Sequence, residues 1–244
     1  MTDRSTMHNQ AVSKHGVTPT SYRIVTIPKF TGGETNDSPP HVLAHKFRDF
    51  RLLALKTSPG AFASTYDDES RRSLEHTLER LRSTKATQFV ALEDGDSLED
   101  FAVCEADMSD LLEHDWLGIV VLMGPNQDVK SISAKSEPLD QMAAQSDQAA
   151  EVEGHEALHF HLNGMFVVPR ARGCGMGRRL IEASLEKARR MSGVSGMECT
   201  IIVDEWNHAA RDLYAGCGFK VVATEVYGDN RIALRMELRL SADR

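Results

Sequence analysis

The chain has 244 residues, 41% of them hydrophobic, with a formal net charge of −8. That length suits one large domain or one domain with appendages. The acidic balance argues against a general nucleic-acid binder, which is usually basic. No run of about 18 apolar residues occurs, so no membrane-spanning helix is expected.

Residues Met1 to about Thr20 are polar and lack the apolar core of a signal peptide, so they read as a flexible tail (1–20). Cys104, Cys174, Cys199 and Cys217 show no paired spacing. Free thiols in a reducing compartment follow, and the cytoplasm or nucleus is the expected location. Tyr22 to Ile27 is β-branched and aromatic, a first strand closed by Pro28. Thr31 to Pro40 is a loop by composition. His41 to Leu55 reads as a helix. Val42, His45, Asp49, Leu52 and Leu53 trace one side, and Leu43, Phe47, Phe50 and Ala54 another, which predicts a largely buried helix. Asp67 to Arg82 reads as a second helix, acidic at its start and basic at its end. Gln88 to Leu92 is a strand. Glu93 to Asp115 is an acidic excursion with a short apolar-periodic piece at Met108 to Leu112. Trp116 to Met123 is a nearly continuous apolar run, a central strand ended by Gly124-Pro125.

From Lys130 to Glu156 there are two lysines against six acidic residues and no aromatic. Such a segment buries too little apolar surface to offset its ordering entropy. The stretch at about 126–157 therefore reads as a disordered acidic insertion, with a short surface helix near Leu139 to Ala150 as the alternative.

Leu158, Phe160 and Leu162 alternate with His159, His161 and Asn163, the period of a strand. Gly164 suggests a bulge, and Met165 to Val168 resume the strand until Pro169. Arg172-Gly173-Cys174-Gly175-Met176-Gly177 is a glycine-rich loop. Leu180, Ile181, Leu185, Ala188 and Met191 then mark one face of a helix. Strand, glycine loop and helix start form an anion-binding device. Unpaired amides and the helix dipole face the ligand, and Arg172, Arg178 and Arg179 add positive charge. The spacing is not that of a dinucleotide fold, and no Gly-Lys-Ser/Thr ending marks a nucleotide P-loop.

Val167-Val168-Pro169 followed by Arg172 through Gly177 resembles the acyl-coenzyme A signature of the GNAT superfamily of N-acetyltransferases. After a further strand, Glu198 to Val203, a second block appears. Trp206-Asn207-His208-Ala209-Ala210-Arg211-Asp212-Leu213-Tyr214-Ala215-Gly216-Cys217-Gly218-Phe219 resembles the family pattern Asn-x-x-Ala-x-x-Leu-Tyr-x-x-x-Gly-Phe. Asn207 can cap this helix, and Gly218 suits the left-handed position after it. Phe219 to Val226 and Ile232 to Leu240 read as a closing antiparallel pair around Tyr227-Gly228-Asp229-Asn230. Arg51-Leu52-Leu53-Ala54-Leu55 and Pro59-Gly60-Ala61-Phe62 also resemble the family's first-helix region.

The resemblance spans roughly Tyr22 to Leu240. It implies an α+β (mixed α/β) GNAT fold: a central, mostly antiparallel mixed sheet flanked by helices, with a split between the two central strands. Residues 21–240 form a single N-acetyltransferase domain on this reading. The implied reaction moves the acetyl group of acetyl-CoA directly to an amine of a small molecule or peptide. Backbone around Phe166, Val167 and Val168 would face the pantetheine and thioester. Amides of Gly173, Cys174, Gly175, Met176 and Gly177 would hold the pyrophosphate, with Arg172 and Arg178 also on the coenzyme side, and Asn207 would meet the pantetheine arm. Tyr214 aligns with the family tyrosine that protonates the leaving thiolate. The base stays open: many relatives carry Glu where this chain has His161, and His159 or water could serve instead. Ser58, Phe62, Tyr66 and His159 are the acceptor-side candidates.

His159 and His161 could also suggest a metal site, with His155 as a third ligand, but the chemistry needs no metal and none is expected. Cys174 at a helix start could look like a nucleophile, yet it stands at a variable position of the motif. Acetyl-CoA and an amine are the expected partners, with no nucleic acid and no membrane, for a monomer or homodimer. A non-catalytic coenzyme A-binding protein on the same scaffold is the alternative function, and a dinucleotide oxidoreductase a distant third.

Overall fold

The structure is a computed structural model that describes residues 21–30, 38–93, 103–126, 157–227 and 231–241. The expected tail, the acidic insertion, His155 and the tip of the last hairpin at 228–230 lie outside the described residues.

Among the described residues the elements run β1 (Tyr22–Thr26), α1 (Pro39–Thr57), α2 (Tyr66–Arg71), α3 (Leu74–Arg82), β2 (Ala86–Glu93), β3 (Cys104–Glu105), α4 (Met108–Glu113), β4 (Trp116–Asn126), β5 (Leu158–Val167), α5 (Met176–Ser192), β6 (Met197–Asp204), α6 (His208–Gly216), β7 (Lys220–Tyr227) and β8 (Arg231–Leu240). Short 3-10 turns occupy Pro59–Ala61 and Pro169–Ala171. One eight-stranded sheet is ordered β3-β1-β2-β4-β5-β6-β8-β7. It is mostly antiparallel, with β1·β3 and β5·β6 parallel. This is the expected mixed, mostly antiparallel sheet flanked by helices.

Helices cover both faces. A Cβ on Gly118 of β4 would meet Leu180 and Met176 of α5, whereas the next residue, Ile119, lines a cavity with Phe47, Arg51 and Ala54 of α1. Successive strand residues point to opposite faces, so α1 and α5 lie on opposite sides of the sheet. Gly118 lets α5 approach: the added Cβ would stand 2.9 Å from Leu180 Cδ1 and 3.2 Å from the Phe166 carbonyl oxygen. Gly118→Ala is therefore expected to lower stability by about 1–3 kcal/mol through overpacking. Urea unfolding checks this, and an unchanged midpoint would contradict it.

Four expectations are corrected. The helix foreseen over Asp67 to Arg82 is two helices, broken where Arg72 turns extended (ψ 145°). Thr65 Oγ1 caps α2 by accepting from the Asp68 amide, and Ser73 Oγ caps α3 by accepting from the His76 amide. An unbroken helix would hold Glu69 and Arg80 about 16 Å apart along its axis. The break brings Arg80 Nη1 to 2.5 Å from Glu69 Oε1, with Arg51 Nε 3.2 Å from Oε2. Burial pushes the Glu69 carboxyl up, but Arg51 and Arg80 more than offset this and hold it below its usual range.

The second correction is in β4, which does not stop at Gly124-Pro125 but runs to Asn126. Gly124 (φ 122°) still donates its amide to the Lys85 carbonyl, and β5 passes so close that a Cβ there would lie 2.7 Å from the His159 carbonyl oxygen. Pro125 falls at a register shift, where a missing amide hydrogen costs no ladder bond. Third, the stripe of α1 that is buried carries Leu43, Phe47, Phe50 and Ala54, while Val42 and Leu53 of the other stripe are exposed. Fourth, Pro39 and Pro40 belong to the first turn of α1, where their missing amide hydrogens have no helical partner to lose.

Candidate active site

The parallel ladder between β5 and β6 runs only from Leu158↔Met197 to Leu162↔Ile201. Beyond it, β6 continues to Asp204 against β8, while β5 continues to Val167 against β4. The two central strands therefore diverge from Asn163 onward, the expected split. Gly164 takes φ 62°, and the β4–β5 register shifts between Ile119 and Val121 at the same place. The expected bulge is thus present, and it turns the Asn163–Val167 backbone away from β6.

Immediately after the split come the glycine loop and α5. Gly173 (φ 81°) and Gly175 (φ 83°) hold left-handed backbone, and a Cβ at either would meet no protein atom within 4 Å. Open space lies in front of this loop. The first α5 bond is made by the Arg179 amide to the Gly175 carbonyl, so the Gly173–Gly177 amides precede the helical ladder. Gly177 serves packing instead: its Cβ would press Leu213 of α6 at 3.1 Å and Met165 at 3.2 Å.

The side chains of the expected coenzyme residues divide. Phe166 and Val168 are buried, and Val167 is half-buried. Arg172 folds back on β5, donating from Nε to the Val167 carbonyl at 2.9 Å, with its guanidinium 5.8 Å from the Phe166 ring centroid. Met176 is a core residue under Gly118. Arg178 Nη1 donates to the Gly216 carbonyl at 2.8 Å and fastens the end of α6. Cys174 Sγ bonds the Ala171 carbonyl at 3.1 Å. Met176 and Arg178 can thus offer a ligand their backbone, with their side chains engaged in the fold.

On the β6 side, Asn207 caps α6, its Oδ1 accepting the Ala210 amide at 3.2 Å. Tyr214 of α6 is buried, its ring edge-on to Phe219 with centroids 6.3 Å apart. Burial raises its hydroxyl above the ordinary tyrosine value, so it is fully protonated near neutrality.

His161 is buried next to Thr200 of β6. Thr200 Oγ1 donates to the Phe160 carbonyl at 3.2 Å, so it accepts from His161 Nδ1 at 3.0 Å. The proton lies on Nδ1 and the lone pair on Nε2. Burial lowers the His161 pKa to about 4. This has a consequence for stability. Between about pH 6.5 and 4 the unfolded chain binds a proton at this site and the native one does not. Stability attributable to His161 is complete above pH 6.5 and falls by about 1.4 kcal/mol per unit on acidification toward pH 4. His161→Gln should lose less stability than the wild type between pH 7 and pH 5, by about 2 kcal/mol in urea titrations. Parallel pH profiles would contradict it.

Residues 142–219 match the sequence model of the acetyltransferase (GNAT) family. The likeness to the GNAT family therefore rests on that stretch, which holds β5, the glycine loop, α5, β6 and α6. The peptidyl-lysine N-acetyltransferase YjaB of Escherichia coli K12 is 36% identical over 69 residues, 28% of this chain and 42% of that protein. The chain thus spans less than half the length of that curated relative. A GNAT-family acetyltransferase from Streptococcus pneumoniae shares the fold with a TM-score of 0.54 at 16% identity, covering 91% of this chain and 100% of that one. Arabidopsis thaliana NAA60, solved with acetyl-CoA, has a TM-score of 0.50 at 15% identity, covering 90% and 99%. At these identities the likeness is one of fold.

On the sheet face that carries α1, Phe62 lines a small cavity with Phe47, Arg51, Ala54, Arg80, Ile119, Val121, Asn163 and Gly164, directly at the split. Ser58 Oγ lies 3.5 Å from Arg172 Nη2, which joins the α1–α2 loop to the glycine loop. Tyr66 is exposed at the start of α2 and does not line this cavity. His159 pairs with Asn126 at the opposite end of β5 from Phe166, its Nδ1 3.6 Å from Glu198 Oε1, too long for a hydrogen bond. Of these acceptor-side candidates, Phe62 lines the cavity, Ser58 lies against Arg172 outside it, and Tyr66 and His159 also stand outside it.

Asn163, Asp204, Trp206 and Arg231 were not singled out by sequence. The first lines the split with a buried, unpartnered Oδ1. Asp204 meets Arg231, and Trp206 meets Gly60, through contacts distant in sequence, which no local pattern encodes. Among the described residues no group of three or more His, Cys, Asp or Glu is arranged to hold a metal. No helix among them is long and apolar enough to cross a membrane.

Proposed function

We propose that this chain transfers the acetyl group of acetyl-CoA directly to an amine of a small molecule or peptide, within a single domain over residues 21–240. The observation that carries the reading is the junction of the β5–β6 split with a left-handed glycine loop opening α5. Amides of Gly173 to Gly177 suit a pyrophosphate, since helix-start donors and the dipole both favour an anion. Those of the bulged strand near Phe166 and Val167 suit the thioester carbonyl, whose oxygen gains negative charge as the amine attacks. The coenzyme supplies an activated acetyl group. The protein holds amine and thioester within reach, which replaces a bimolecular encounter.

Asn207 keeps its Nδ2 hydrogens for the pantetheine arm while Oδ1 caps α6. Tyr214 gives its proton to the departing thiolate. Proton removal from the amine falls to His161 Nε2 or to water. At a pKa of about 4 the imidazole is neutral at working pH, so its lone pair is available but weakly basic. The name of YjaB and the acetyl-CoA bound to NAA60 support this chemistry by analogy.

The burial of His161 also favours a second reading, a coenzyme A-binding protein without turnover. Calorimetric titration with acetyl-CoA, followed by thiol-release rates over an amine panel that includes a lysine peptide, distinguishes the two. Saturable binding with amine-dependent release supports transfer, and binding without release supports the second reading. Absent binding overturns both.

A further inference from the structure

The α1–α2 loop, which carries Phe62, is held by a residue far along the chain. Arg231 opens β8. Its Nε donates to Asp204 Oδ1 at 2.7 Å, and its Nη2 donates to Asp204 Oδ2 and to the Gly60 carbonyl. Its Nη1 donates to the Phe62 carbonyl at 3.1 Å. Asp204 is 4% exposed at the end of β6, and its own carbonyl accepts the Asn207 amide at 3.0 Å. Gly60 also lies against Trp206, so closely that a Cβ would stand 2.9 Å from the indole.

One planar guanidinium thus grips a carboxylate along one edge and two loop carbonyls with two further hydrogens. A fork of five fixed donors can do this, whereas an ammonium, a point donor on a flexible stem, cannot span all three groups. The loop so fixed carries Phe62 into the cavity with Asn163 and Gly164, on the sheet face opposite α5. The glycine loop opens α5 and does not touch Arg231 through any of these bonds.

We propose that Arg231, fixed by Asp204, is a positioning residue for the acceptor. It sets residues 60–62 as one wall of the amine's path to the thioester, and acceptor recognition depends on it while coenzyme affinity does not. This rests on the transferase reading above.

The test compares the full-length wild type with Arg231→Lys and with the double variant Asp204→Asn/Arg231→Leu. The double variant leaves no unpaired buried charge and so keeps the fold accessible to measurement. Acetyl-CoA and a lysine-bearing peptide are the probes. Amide exchange of residues 60–63 should quicken about tenfold or more in the double variant, the scale of one lost charge-assisted bond. The peptide KM should rise about tenfold with a smaller change in kcat, and acetyl-CoA affinity should stay within about twofold. The lysine variant should fall between wild type and double variant. Wild-type turnover with unchanged loop exchange and peptide KM in the folded double variant would overturn this proposal alone. An equal loss of coenzyme affinity would overturn it too, by making Arg231 a general scaffold residue. A wild type that binds acetyl-CoA yet acetylates no amine overturns the transferase reading, and this proposal with it.

Discussion

Tyr214→Phe is expected to bind acetyl-CoA almost as the wild type does and to turn over about 10²-fold more slowly or worse, the scale of lost general-acid catalysis. The ring is buried against Phe219, and phenylalanine preserves that contact. Only the hydroxyl disappears. Burial holds the phenol protonated at every working pH, so the proton is always present to give. A thiolate that must leave without it is a poorer leaving group, and the loss falls on the chemical step. Coenzyme affinity, melting temperature and single-turnover rate on one preparation separate this from packing. An unchanged single-turnover rate with a good acceptor would remove Tyr214 from the acid role.

Gly175→Val should weaken acetyl-CoA binding by about 10²-fold while the fold survives, because two costs coincide. A β-branched residue at φ 83° is strained, so the backbone rotates and its amides no longer converge. The isopropyl group also projects into the open space before the loop, where the pyrophosphate is proposed to lie. That same openness spares the protein, since an added Cβ meets no atom within 4 Å. Calorimetric titration and a melting curve report the two effects separately. Full coenzyme affinity in the folded variant would place the ligand elsewhere.

What could be read ahead was local. The strand, bulge, glycine loop and helix from Leu158 to Ser192 each depend on nearest neighbours, and the structure places them as expected. The Asn207 cap and the left-handed Gly218 are equally local. What escaped depends on partners distant in sequence. The break at Arg72 answers Glu69 and its arginines, which a helical pattern over Asp67 to Arg82 cannot express. The extension of β4 through Pro125 follows from β5 lying beside it. The Asp204–Arg231 pair and its hold on Gly60 and Phe62 join segments more than a hundred residues apart. The sequence marks His161 as a candidate base, but its low pKa follows from burial beside Thr200, and alternation along a strand does not reveal the depth of a side chain.

The stoichiometry of transfer tests the proposed reaction at its core. The wild type is incubated with acetyl-CoA carrying a labelled acetyl group and with an amine from the panel, and both products are quantified by mass spectrometry. The expected result is one labelled amide formed for each coenzyme thiol released, saturating in both substrates. Thiol release with the label appearing only as free acetate, or coenzyme bound with no amide formed on any amine, would contradict it.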